Sequence, residues 1–73
     1  MPRTMLRKYR KAAGLSQVQL AAAIGEGVDP STVSYWESGD RCPRFVHAMA
    51  LEDVLGVAAT RLLAPAPVNV EGA

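Results

Sequence analysis

The densest hydrogen-bonding chemistry of the chain sits in one short run, Pro30-Ser31-Thr32-Val33-Ser34-Tyr35-Trp36-Glu37-Ser38. If the run is helical, Val33, Trp36 and Glu37 fall on one side, while Ser31, Thr32, Ser34 and Tyr35 fall mostly on the other. Hydroxyls on an open helix face are short donors and acceptors, able to reach base edges in a groove without clashing. Anion-binding groups accompany them. Of the eight Lys and Arg residues, Arg3, Arg7, Lys8, Arg10 and Lys11 crowd the first eleven positions, and Arg41 and Arg44 form a second group. The formal net charge is only +1, so any affinity for a polyanion must come from where these charges lie and not from their sum.

Other chemistries lack their parts. His47 is the single histidine and has no second ligand at helical spacing, so neither a metal site nor a hydrolytic triad can be assembled. Cys42 is the only cysteine, which rules out an intrachain disulfide and a zinc-binding set. Glu52 and Asp53 are adjacent and point to different helix faces, and no glycine-rich phosphate loop occurs. The expectation is a non-enzymatic protein with no cofactor, no metal and no small-molecule substrate. No apolar stretch approaches the roughly 20 residues that span a bilayer. Met1-Pro2-Arg3-Thr4 is not followed by the apolar core of a signal peptide. A cytoplasmic location with no membrane partner is expected.

The positioning elements read as five short helices and no strand. The first is predicted over about Thr4 to Ala13, with Met5, Leu6, Tyr9 and Ala13 inward and Gly14 as its stop. Ser16 opens the second, since its hydroxyl can cap a free N–H and Gln19 three residues on completes a capping box. Leu20, Ala21 and Ile24 supply its buried face, and Leu15 is placed to pack on Leu20. After the Gly25-Glu26-Gly27 turn, Asp29-Pro30 is a strong start: aspartate caps, and proline at the first helical position forfeits no hydrogen bond. A fourth helix is predicted over Arg44 to Leu55, with Val46, Ala50, Leu51, Val54 and Leu55 inward. A fifth covers Ala58 to Leu63, where Leu62 and Leu63 close the core. Residues 64–73 carry two prolines and no periodicity and read as a disordered tail behind a domain of residues 1–63.

The second and third helices, joined by a glycine-containing turn, make a helix-turn-helix, in which one helix crosses a DNA backbone and the next enters the major groove. The run Leu6-Arg7-Lys8-Tyr9-Arg10-Lys11-Ala12-Ala13-Gly14-Leu15-Ser16-Gln17 points to a family. With it go Leu20-Ala21, Ile24-Gly25, Ser31-Thr32-Val33-Ser34, Trp36-Glu37 and Gly39. Together these resemble the Cro/C1 (XRE-type) helix-turn-helix family. Pro43-Arg44-Phe45 and Leu55-Gly56-Val57 through Leu62-Leu63 look like its closing segments. The resemblance implies an all-α, compact five-helix, lambda-repressor-like DNA-binding domain over residues 4–63. It also implies roles. Gln17 would touch a phosphate and brace the recognition helix, and Pro30, Ser31 and Tyr35, with Ser34 beside them, would face base edges. Arg41 and Arg44 would grip phosphates or lean toward the minor groove, and Arg10 and Glu37 would form an internal ion pair. Apart from the resemblance, the basic residues Arg7 and Lys11 of the first helix are expected to add phosphate contacts.

Three departures from that family bear on the site. The turn is lengthened at Glu26-Gly27, which affects how the third helix tilts. Pro30 replaces a polar reader and offers only van der Waals contact, for instance to a thymine methyl. Ala58 stands where a capping side chain is usual, which predicts a frayed fifth helix. The reading is a sequence-specific, repressor-like regulator of double-stranded DNA, a homodimer joined around Val57 to Leu63. The alternative is an antitoxin-like or adaptor module whose main partner is another protein.

Overall fold

The computed structural model describes residues 3–25 and 27–66. Helices α1 (Leu6–Ala12), α2 (Gln17–Ile24), α3 (Pro30–Ser38), α4 (Phe45–Leu55) and α5 (Ala59–Leu62) follow in order, and no named strand occurs among the described residues. Each helix sends at least one large apolar side chain to a single core: Leu6, Leu20 with Ile24, Val33 with Trp36, Leu51 and Leu62. Tyr9, Leu15, Val28, Val54, Leu55 and Leu63 pack around it. The helices are too short to persist alone, so this shared burial is what holds them.

Local signals set the boundaries. Ser16 Oγ accepts from Gln19 N at 3.0 Å while Gln19 Oε1 accepts from Ser16 N at 2.8 Å, the full capping box. Asp29 caps α3, whose first residue is Pro30, and Gly39 ends it with φ 86°, a left-handed conformation that suits glycine. Helices α2 and α3 pack directly against each other, and α4 lies behind α2.

Several expectations are corrected. Helix α1 starts at Leu6 and not at Thr4, because residues 3–5 have other backbone partners. Thr4 N donates to Glu37 O at 2.9 Å and Thr4 Oγ1 to Trp36 O at 3.0 Å, so Thr4 satisfies carbonyls near the end of α3. On its other side Thr4 forms an antiparallel bridge with Pro65; Met5 N donates to Ala64 O and Ala66 N to Arg3 O. Residues 64–66, where the expected tail begins, thus make backbone contacts with residues 3–5; residues 67–73 lie outside the described residues, as does Glu26 of the lengthened turn. Ala13 is exposed, and Val46 points outward at 50% exposure. The fifth helix lacks a cap from Ala58, yet Glu52 Oε2 accepts from Ala59 N at 2.7 Å, so α4 supplies the cap that α5 does not carry.

Candidate nucleic-acid interface

Helix α3 has two sides with different tasks. Val33, Trp36 and Glu37 are buried, whereas Pro30, Ser31, Ser34 and Tyr35 are exposed. Trp36 is a core residue, 2% exposed, with its ring centroid 5.6 Å from that of His47 on α4. The expected base-facing group thus stands free on one surface, with one exception. Thr32 is half-buried, and its hydroxyl donates to Asp29 Oδ1 at 3.0 Å while its N–H donates to the same oxygen at 2.9 Å. Thr32 serves the helix start.

Those two bonds from Thr32, backbone first, hold the Asp29 carboxyl below its usual pKa. A carboxylate with a lowered folded-state value stabilises the fold above its unfolded value of about 3.9 and loses that contribution as pH falls through the lower folded value. Asp29→Ala should therefore speed amide exchange at Thr32 and Val33 near neutrality. The difference from the parent should shrink progressively below about pH 4. A pH-independent difference would mean that the charge of Asp29 plays no part in the cap.

The angle of α3 is fixed from behind by Glu37. Arg10 Nε donates to Glu37 Oε2 at 2.5 Å, with both side chains less than a tenth exposed. A second guanidinium nitrogen lies 3.5 Å from Oε1. Gln17 Nε2 donates to Oε1 at 3.0 Å, and Arg10 Nη1 donates to Leu15 O at 2.8 Å. One carboxylate and one guanidinium thereby join α1, the turn before α2, the first residue of α2 and the end of α3. Every polar atom of the pair that is buried has a partner. Arg10 and Glu37 thus form an ion pair, and Gln17 bonds the same carboxylate, which ties the start of α2 to the end of α3.

The expected cations separate into distinct places. Arg7 lines a cleft of about 550 Å³ together with Gln17, Pro30 and Ser34, where the starts of α2 and α3 come together. Lys11 borders a second hollow on α1 with Met5 and Lys8, which Arg7 also lines. Arg41 lies over Tyr35, its guanidinium carbon 4.6 Å from the ring centroid, so an expected base reader and an expected phosphate contact form one stacked unit. Arg44 is exposed as the cap residue of α4.

Two residues of this cleft lie outside the expected site set: Arg3, counted above only among the N-terminal cations, and Val18. Arg3 escapes a helical reading because its segment is extended. Val18 carried a signal, since it falls outside the Leu20, Ala21 and Ile24 stripe and is 63% exposed. Among the described residues no group of acidic, histidine and cysteine side chains could hold a metal ion, and Cys42 is an exposed free thiol. No described helix is long and apolar enough to cross a membrane.

Helices α2 and α3, packed on each other across a glycine-containing turn with α3 braced from behind, have the arrangement of a helix-turn-helix. The sequence profile of the helix-turn-helix family of the XRE/Cro-C1 type matches residues 6–62, and the chain belongs to that family. No curated protein and no solved structure gives a significant match to the chain. The family is one of DNA-binding regulators.

Proposed function

We propose that this protein is a sequence-specific, repressor-like transcriptional regulator of the cytoplasm that reads the major groove of double-stranded DNA with α3. The observation that carries this reading is the two-sidedness of α3. Its buried side is locked by the Arg10–Glu37–Gln17 network, and its open side presents Pro30, Ser31, Ser34 and the Tyr35–Arg41 stack. Thr32 keeps the helix start in place behind them. Arg7, Lys11, Arg41 and Arg44 supply phosphate contacts, and the second N–H of the Gln17 amide, the one not bonded to Glu37, adds to them.

A single α3 offers few base-reading groups, so two copies are needed for a long enough site, with half-sites about 34–36 Å apart. Within the dimer surface expected around Val57 to Leu63, Leu62 is fully buried and Val57 and Leu63 are partly packed on the core, while Ala58, Thr60 and Arg61 are exposed. The large apolar side chains left open on α4 are Phe45, Val46 and Met49, adjoining Arg44. A second copy meeting this patch across a two-fold axis buries it in an isologous interface next to the DNA-gripping arginines. The same patch is what favours the alternative of a partner protein, as an antitoxin-like or adaptor module would have.

Selection from random duplexes followed by a salt titration tests the reading. With four cations per protomer on phosphates, a bound dimer should lose about 10³–10⁵ in affinity between 50 and 200 mM salt. The selected site should be a pseudo-palindrome. Absence of binding to any duplex at low salt removes the regulator reading and leaves the protein-partner one.

A further inference from the structure

The cleft between α1, α2 and α3 has an apolar part that phosphate binding does not use. Val18, at the second position of α2, is 63% exposed, and Pro30, the first residue of α3, is exposed; both line this cleft. Ser34 lies one helical turn beyond Pro30 on the same lining, and Arg3 and Arg7 border it. Neither Val18 nor Pro30 joins the core cluster, so burial within the fold does not account for them.

What would fill such a place is a small apolar group with a hydrogen-bond acceptor beside it, carried on a phosphate polymer. Thymine in the major groove has this form: its C5-methyl group adjoins the O4 acceptor, and a phosphate lies alongside. Cytosine offers an amino donor where thymine offers O4, and no methyl. A protein partner would bring an anion to Arg3 and Arg7 only where an Asp or Glu happened to adjoin its apolar group, whereas every thymine in a duplex has a phosphate alongside. Charge therefore favours DNA as the occupant.

We propose that Val18 and Pro30 jointly form the contact for one thymine methyl in each half-site, with the Ser34 hydroxyl donating to O4 of the same base. The inference rests on the major-groove reading above and adds a specificity residue on α2, outside the recognition helix. Because α2 and α3 are locked together through Gln17 and Glu37, the two walls of the contact keep their spacing as the domain docks.

The test uses the full chain and the selected duplex, replacing each thymine singly by deoxyuridine, which removes the methyl and preserves base pairing. At one thymine per half-site the replacement should weaken binding about three- to five-fold, the value of one buried methyl group. The variant Val18→Ala, at an exposed position, should fold normally and lose most of that penalty at this thymine alone. Uracil tolerated at every position, with affinity for the parent duplex intact, overturns the proposal and leaves the DNA-binding reading standing. So does a Val18→Ala variant that keeps the full penalty. Failure to bind any duplex overturns both together.

Discussion

Arg10→Ala should destabilise the domain by about 3–5 kcal/mol, the range for breaking one side of a buried ion pair. At roughly 4–8 °C per kcal/mol for a domain of this size, the melting temperature should fall by more than 10 °C. The loss is large because the partner left behind has no escape: Glu37 is 5% exposed, and Gln17 would be its remaining side-chain donor. Arg10→Lys should recover little. An ammonium cannot reach both the carboxylate and Leu15 O with the fixed fork that the guanidinium uses. The pair itself need not be stabilising, since replacing both members by apolar residues of similar volume is often neutral. A double variant, Arg10→Met with Glu37→Leu, should therefore melt well above Arg10→Ala. If it does so yet binds DNA poorly, the network serves to aim α3 and not to stabilise the fold. Thermal melts of the three variants decide the matter, and a loss below about 1 kcal/mol for Arg10→Ala would place the pair with ordinary surface bridges.

The legible parts of the fold were those with strictly local causes. Ser16 with Gln19, and Asp29 with Pro30, announce helix starts because capping needs only residues within one turn. The two sides of α3 follow from helical spacing alone. Less visible were interactions between segments far apart in sequence. Nothing around Thr4 says that it will pair with Pro65 and bond the end of α3, so a helical start there was the local expectation. Nor does Ala58 reveal that Glu52, seven residues before Ala59, will cap α5. At the site the same division holds. Arg10 and Glu37 are far apart in the chain and were paired only through resemblance to a family. Val46 shows the limit of pattern: an apolar residue at helical spacing was assigned inward, while packing left it on the open face.

That open face carries the other large expected effect. Phe45 is 80% exposed, and Met49, one turn along the same side of α4, is 50% exposed beside Val46. If a second copy covers them, the double variant Phe45→Ser with Met49→Gln should convert the dimer to a monomer. Both replacements are neutral, so the charge that DNA meets at Arg44 is unchanged. Both residues lie outside the core, so the monomer should still fold cooperatively, and its melting temperature, unlike the parent's, should not depend on protein concentration. DNA affinity should nevertheless fall by about 10²–10⁴, because the second half-site would no longer be held at high effective concentration. Binding to an isolated half-site should hardly change. Sedimentation of both proteins and titration on whole and half sites separate the possibilities. A parent that sediments as a monomer at high concentration, or a double variant that binds the whole site as tightly as the parent, would show that this face joins no second copy. In either case a partner of another kind becomes the better explanation for three large apolar side chains kept beside Arg44.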